Sequence, residues 1–155
     1  MMKVAHVSLL KLKINWLLLL IVTLSSIYTF KPFINGFGCD FEREVETISY
    51  YKKGYCNSGI MIIETEDKVT GTVKLKKFLW GHWQNYNYTL RIQTQTLSSP
   101  SPSMTRRLSL YDVTPIVSAY RIPFENQSMK SALLYDKPFE LIYITDGIGK
   151  LGFIQ

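Results

Sequence analysis

The feature that most constrains this chain is the stretch from Ile14 to Phe30, seventeen residues without a charged side chain. As an α-helix, at about 1.5 Å per residue, it would be about 26 Å long. The hydrocarbon core of a bilayer is about 30 Å thick, and Lys11 and Lys13 can extend their ammonium groups to the headgroups. The stretch therefore predicts a transmembrane helix over residues 14–30.

The distribution of lysines predicts the orientation of this helix. Lys3, Lys11 and Lys13 precede the span, and Lys31 is the one lysine that follows it closely. Because Lys and Arg are enriched on the cytoplasmic side, we expect residues 1–13 to be a cytoplasmic tail and the rest of the chain to lie outside. A cleaved signal peptide is the competing interpretation. Its small-x-small cleavage site would be Thr23-x-Ser25, inside the apolar stretch.

The net charge of the chain does not indicate nucleic-acid binding. The whole chain has a formal charge of +6, but from Pro32 onward 14 Lys and Arg face 12 Asp and Glu, which leaves +2. The excess of positive charge therefore belongs to the membrane flank and not to the folded part. About 120 residues after a connector at residues 31–38 are enough for one domain, which we place at residues 39–155.

Cys39 and Cys56 both fall on the outer side of the predicted membrane helix. Two thiols in an oxidising compartment most simply form one disulfide, although two separate buried thiols are the alternative. A disulfide requires residues 41–51 to fold back, because the two Cα atoms must come within about 7 Å. Phe41, Val45 and Ile48 have helical spacing, whereas the composition of residues 47–51 favours a strand, so the residues alone leave this segment open.

The hydrophobic period after residue 58 is two, which is typical of β-strands. Residues 59–65 predict a buried strand. Residues 69–79 and 84–97 each predict a strand with one apolar and one wet face, Tyr86 and Tyr88 being on an apolar face. The Trp80–Trp83 segment predicts the reversal between these two strands.

The C-terminal third predicts a mixture of strands and short helical turns. The predicted segments are a loop at 98–103, a strand at 104–111, helical turns at 114–120 and 128–134, and a hairpin of 139–145 and 148–154 about Asp146-Gly147. The total is six or seven antiparallel strands in a meander, or eight if residues 41–51 are extended. The predicted fold class is mainly β, a curled sheet or barrel-like domain after one helix.

Catalytic machinery is not indicated by the sequence. His82 is the one histidine in the outer part of the chain, and no nucleophile elbow, phosphate-binding loop or metal-ligand spacing accompanies it. We predict no enzyme activity, no metal site and no cofactor. The aromatic residues of the middle strands fit either sheet packing or a ligand or partner surface. These are Phe78, Trp80, Trp83, Tyr86 and Tyr88.

Several loose patterns together suggest a family. They are Cys39 just past the anchor, the Glu66–Gly71 turn before an alternating strand, Arg91, the Tyr111–Pro115 segment and the terminal hairpin. With these features the chain resembles the small membrane-anchored accessory proteins encoded beside ToxR-type transmembrane transcription regulators. These are the FidL, ToxS, TcpH and VtrC kinds, and the FidL-like group is the most similar. Cys56 and the absence of a C-terminal cysteine depart from that family.

The resemblance implies a single-pass protein of the bacterial inner membrane with a periplasmic β domain. Its implied partners are a membrane-anchored transcriptional regulator, the lipid bilayer and, in some relatives, a bile-salt-like amphiphile held in a barrel. It also favours a strand at residues 41–51. Two other functions remain as alternatives: a structural bitopic subunit of an envelope assembly, and an inhibitor of an extracytoplasmic enzyme.

Overall fold

A computed structural model describes residues 3–98, 114–124, 127–135 and 141–154. The chain divides into two units, Met1–Lys31 and Pro32–Gln155. Helix α1 runs Lys3–Gly36, so residues 31–36 of the predicted connector are helical. Within α1, the 22 residues Asn15–Gly36 have a mean hydropathy of 1.8 and are long and apolar enough to cross a membrane.

The polar residues of the apolar helix bond to its own backbone. The hydroxyls of Thr23, Ser26 and Thr29 each donate to the carbonyl four residues earlier, at 2.8, 2.8 and 2.9 Å. A hydroxyl satisfied in this way carries little penalty in an apolar surrounding. The Thr and Ser cluster is therefore compatible with a membrane span.

The second unit is a closed barrel of antiparallel strands, each paired with its neighbours in chain order and β8 paired with β1. The mainly β prediction with a barrel-like domain is confirmed. The strands are β1 Asp40–Glu46, β2 Tyr50–Asn57, β3 Ile60–Asp67, β4 Val73–Trp83, β5 Tyr86–Ser98, β6 Ile116–Phe124, β7 Gln127–Tyr135 and β8 Leu141–Lys150.

The ambiguous segment 41–51 folds back as the β1–β2 hairpin. The Thr47 backbone N–H donates to the Tyr50 carbonyl at 2.9 Å, and the Tyr50 N–H donates to the Thr47 hydroxyl at 3.1 Å, which closes the turn. The hairpin brings Cys39 and Cys56 together with Cα atoms 5.8 Å apart, and they form a disulfide. The predicted pairing is confirmed, and the alternative of two separate thiols is wrong.

Two boundaries in the middle of the chain differ from prediction. Residues 80–83 are the end of β4, and the reversal occurs at Gln84 and Asn85, where Gln84 has a positive φ of 52°. Strand β4 also begins at residue 73 and not at 69. The carboxylate of Asp67 accepts the N–H groups of Val69 and Thr70, and this local turn competes with the strand.

The C-terminal predictions fail in three places. The helical turns at 114–120 and 128–134 are wrong, because these residues lie mostly in β6 and β7, paired with each other and with neighbouring strands. The Asp146-Gly147 hairpin is also wrong: β8 runs straight through it, and Gly147 lies opposite Arg43. A Cβ at Gly147 would collide with the carbonyl oxygen of Glu42, so the glycine serves close strand approach and not a turn. The strand at 104–111 and the loop at 98–103, except Ser98, lie outside the described residues.

The two amphipathic strands alternate as predicted, but their predicted wet residues face the barrel interior. Lys76, Asn87 and Thr89 are 3%, 4% and 5% exposed, whereas Tyr86 is 44% exposed. Phe78 and Trp80 point inward, and the period of two carries Lys76 to the same side. Asn87 and Thr89 follow because they lie directly opposite His82 and Trp80 across the β4–β5 pair.

Candidate ligand cavity and apolar outer wall

A cavity of about 80 Å³ lies in the barrel interior. Most of its surface is apolar, and all eight strands contribute residues to its lining. The apolar side chains are Phe41, Val45, Met61, Ile63, Trp80, Val117, Ala119 and Leu133. The polar and charged side chains are Arg43, Lys52, Asn87, Thr89, Tyr135, Tyr143 and Thr145.

Both charged groups of the lining are cations, and each stands over aromatic rings. The Arg43 guanidinium carbon lies 4.6 Å from the ring centroid of Phe41 and 5.6 Å from that of Trp80. The Lys52 ammonium lies 4.3 Å from the Tyr50 ring centroid and 5.0 Å from that of Tyr143. Ring faces attract cations, and they hold Arg43 and Lys52 at the cavity surface without neutralising their charge.

No carboxylate belongs to the lining, and no Asp or Glu is buried in the described part of the chain. Buried cations are present beyond the lining, at Lys76 and Arg121. Burial lowers the pKa of the Arg121 guanidinium and also lowers the pKa of His82. Among the described residues, the cavity is therefore lined by cations and by no carboxylate, an arrangement that favours an anion inside it.

Asn87 presents an amide donor to the cavity. Its Oδ1 lies 2.9 Å from Nδ1 of His82, a side chain that is 1% exposed. Because burial lowers the pKa of His82, the neutral imidazole can donate this hydrogen bond from Nδ1. The Asn87 Nδ2 group is buried without a hydrogen-bond partner. A buried donor of this kind is costly unless a ligand oxygen accepts from it.

The predicted aromatic surface is divided by the barrel wall. Trp80 lines the cavity, and its indole Nε1 donates to the Leu151 carbonyl at 2.8 Å. Phe78 is buried in the core at 1% exposure, outside the cavity lining. Tyr86 and Tyr88 stack at 6.2 Å between ring centroids on the β5 face opposite Asn87, and Trp83 is half-buried at the end of β4.

The sequence interpretation missed the polar cavity residues. Arg43 lies between Phe41 and Val45 at a spacing of two, so a strand assignment for residues 41–51 would have placed it on their face. Asn87 was assigned to a wet face because its strand neighbours are tyrosines. No signal in the sequence of β5 alone shows which face of this strand is inside.

The outer surface of β6–β8 carries exposed apolar side chains in register. Tyr120 of β6 is level with Leu134 of β7, which is level with Ile142 of β8, and Ile122, Ala132 and Ile144 form the next row. We call the exposed members of this surface, with Ile116, the apolar wall. They are Ile116, Tyr120, Ile122, Ile142 and Ile144, between 39% and 70% exposed.

The fold and cavity define a class: an apolar helix followed by an eight-stranded meander barrel with a cationic, largely apolar interior. No protein-family model, curated protein or solved structure matches the chain. Its own residues therefore carry the functional argument.

Proposed function

We propose that the chain is a single-pass accessory protein of the bacterial inner membrane. Its periplasmic barrel docks on the outer domain of a membrane-anchored transcriptional regulator, which it stabilises or modulates. Helix α1 supplies the anchor, since Asn15–Gly36 has the length and composition of a span. The resemblance to regulator-associated accessory proteins supplies the kind of partner.

The observation that carries the proposal is the apolar wall. A monomeric soluble protein rarely exposes a contiguous apolar patch of this kind, and such patches mark interaction sites. Three of its four isoleucines lie in two rows on paired strands, so the wall is rigid and needs no rearrangement to bind. An apolar sheet face on the partner's outer domain is the complementary surface.

A second function, ligand binding, is supported by the cavity. Apolar walls, two lining cations and the open donor of Asn87 match a small amphiphile with an anionic head. The apolar body would contact Trp80 and Met61, and the anionic group would accept from Arg43 and Asn87. Bile salts have this chemistry. Their binding in the barrel would then change how the barrel interacts with its regulator partner.

Isolation of the full chain from gently solubilised membranes tests the docking proposal. We expect a bitopic regulator to be recovered with the wild type and to be lost with Ile142→Asp. Glu64→Lys, on an exposed β3 position, is the matched control and should retain it. Recovery of a secretion or division assembly supports the structural-subunit alternative, and recovery of a secreted enzyme supports the inhibitor alternative; either contradicts our proposal.

Titration with deoxycholate below its micelle concentration tests ligand binding. We expect the tryptophan emission of the full chain in nanodiscs to shift, because Trp80 lines the cavity. Trp80→Phe should remove the shift and Trp83→Phe should retain it, since Trp83 is outside the lining. A shift that persists in Trp80→Phe would place the deoxycholate elsewhere, and a flat response would exclude it as a ligand.

A reporter at the C-terminus tests the topology. A reporter that is active in the periplasm supports the proposed orientation of α1. Activity of a cytosolic reporter at that position would contradict the periplasmic-partner function as a whole.

A further inference from the structure

One end of the barrel is formed by the turns β2–β3, β4–β5 and β6–β7, together with the start of β1 and the end of β8. This follows from the meander order, in which consecutive connections lie at alternate ends. Helix α1 enters the second unit at the same end, since only Phe37–Cys39 separate it from β1. We call this end the anchor end.

Large apolar side chains are exposed at the anchor end. We call four of them the rim, and they come from three separate parts of the chain. The rim consists of Phe37 at 53%, Phe124 at 41%, Phe153 at 72% and Ile154 at 62% exposed. Tyr86 and Ile148, at 44% and 73% exposed, belong to the same end.

Two of the four rim residues, Phe153 and Ile154, are held by hydrogen bonds with the buried residue Asn35. The Ile154 N–H donates to Oδ1 of Asn35 at 2.7 Å, and the Phe153 N–H donates to the Asn35 carbonyl at 3.1 Å. The Asn35 amide in turn donates to the His82 carbonyl at 2.8 Å and to the Ile154 carbonyl at 2.9 Å. Asn35 is 5% exposed, so the exposed Phe153 and Ile154 side chains stand on a fixed backbone.

Chain length limits how far the rim can be from a membrane. The first unit ends at Lys31, and Gly36 follows five residues later in the same helix. Five helical steps of about 1.5 Å cover about 8 Å. Asn35 and Gly36 already belong to the barrel unit, where a Cβ at Gly36 would collide with the Trp80 carbonyl. The polar layer of a bilayer is several ångströms thick on each side, which is the same range.

Charge is arranged to suit a lipid surface. Asp40 is the one described acidic residue at the end position of a strand at this end, and Lys150 lies directly opposite it on β8. Glu46, Glu66 and Asp67 lie at or beside the other end. Glu125 is outside the described residues. Glu42, level with Ile148, is the next acidic residue from this end, and it bonds the Lys53 ammonium. Exposed Phe and Ile side chains beside acidic residues that each face a lysine are compatible with the membrane interface.

We propose that the rim rests in the headgroup layer of the membrane that α1 crosses, so that the lipid surface is a second binding partner of the barrel. The inference rests on the anchor role of α1 in the proposed function. It assigns the anchor end of the barrel to the membrane and leaves the apolar wall, on the outer face of β6–β8, to other partners.

Depth-dependent fluorescence quenching tests this inference on the full chain in nanodiscs. The lipids are phosphatidylcholine with or without bromine near the top of the acyl chains, in a Trp16→Phe/Trp83→Phe background. The third tryptophan, Trp80, is 2% exposed, and its emission is measured in the background protein and subtracted. Phe153→Trp and Phe124→Trp report the rim, and Ile48→Trp reports the opposite end, where Ile48 is 98% exposed. We expect brominated lipid to quench the emission of the two rim tryptophans at least twofold and to leave the Ile48→Trp emission unchanged.

Ile154→Ser in the Phe153→Trp protein tests whether apolar contact with lipid holds the rim at the membrane, or whether its connection to α1 alone does so. We expect the quenching to fall by about half, whereas the matched Ile144→Ser on the apolar wall should leave it unchanged. Equal quenching at rim and opposite end, or no effect of Ile154→Ser, overturns the inference.

Emission from Trp16, measured as the difference between the Trp83→Phe protein and the Trp16→Phe/Trp83→Phe background, separates this failure from that of the proposed function. If brominated lipid quenches Trp16 but not the rim tryptophans, the inference about the rim is wrong and the anchor is supported. If it does not quench Trp16, both the anchor and the rim are wrong.

Discussion

Two regions of the outer barrel surface share the same strand geometry and differ in chemistry. We call the outer face of β1–β3 the charged half and that of β6–β8 the apolar half. On β1–β3 the outward positions carry charged side chains: the Lys53 ammonium of β2 bonds Glu42 of β1, and the ammonium of Lys68, in the turn after β3, lies 2.6 Å from Glu46. On β6–β8 the outward positions of the apolar wall carry isoleucines instead. Both halves alternate with a period of two, so strand geometry does not explain the difference.

The contrast teaches that each half is built for a different contact. The charged half is suited to contact with water, because the side chains of Glu42, Glu44 and Lys53 are about half exposed and form ion pairs with each other. The apolar half exposes large isoleucines, although two of its buried positions hold the small polar residues Ser131 and Thr145, which bond each other at 3.3 Å. Isoleucine is usually buried, and its exposure on the outer face of β6–β8 indicates a partner there.

The largest effect is expected within the charged half, at its disulfide. Cys39→Ala with Cys56→Ala should lower the free energy of unfolding by about 3 kcal/mol, because a cross-link over this separation restricts the unfolded chain. Urea unfolding of the full chain in detergent, with and without reductant, measures it. A change under about 1 kcal/mol would mean that the strand pairs alone hold this half together.

The next effect tests the apolar half directly. Ile144→Asp should weaken binding of the recovered partner about 30-fold, which is about 2 kcal/mol, the size of an interface hot spot. The unfolding midpoint should not change, because Ile144 is 61% exposed. Biolayer interferometry on nanodiscs measures the affinity, and Glu44→Gln on the charged half is the control. Equal loss in both variants would remove the distinction between the halves.

A smaller effect is expected inside the barrel, which both halves enclose. Arg43→Met keeps the side-chain length and removes the cation over Phe41 and Trp80, so deoxycholate should bind about tenfold more weakly. The free energy of unfolding should not fall, because a buried guanidinium costs solvation energy that a cation–π contact of about 1 kcal/mol only partly offsets. Calorimetric titration measures the binding. Unchanged affinity would show that the anion does not lie at Arg43.

The sequence predicted the helix, the disulfide and the mainly β fold, because each depends on local signals. An uncharged apolar run, two cysteines in one compartment and a period of two are readable without tertiary contacts. The direction of the faces was not readable. In β5 the tyrosines carry more apolar surface than Asn87 and Thr89, yet pairing with β4 turns the small polar residues inward.

The C-terminal strands show the same limit. Thr114-Pro115 is a valid helix start in isolation, but the Pro115 carbonyl accepts the Arg91 N–H at 2.7 Å and the chain continues as a strand. Asp146-Gly147 is a valid hairpin turn, but here β1 pairs with both residues. In each case long-range strand pairing overrides the local propensity, and no single segment contains that information.

The smallest effect is expected at the ion pairs of the charged half, and its absence is the informative result. The hydrogen bond with Glu42 raises the pKa of Lys53, so the pair is formed at neutral pH. Lys53→Met should nevertheless leave the unfolding midpoint, the partner affinity and the deoxycholate affinity unchanged, because exposed ion pairs are screened and exchange for water contacts. Thermal unfolding at low and high salt checks this. A clear loss of partner binding in Lys53→Met would mean that the charged half is also an interface, and the two halves of the wall would then form one continuous binding surface.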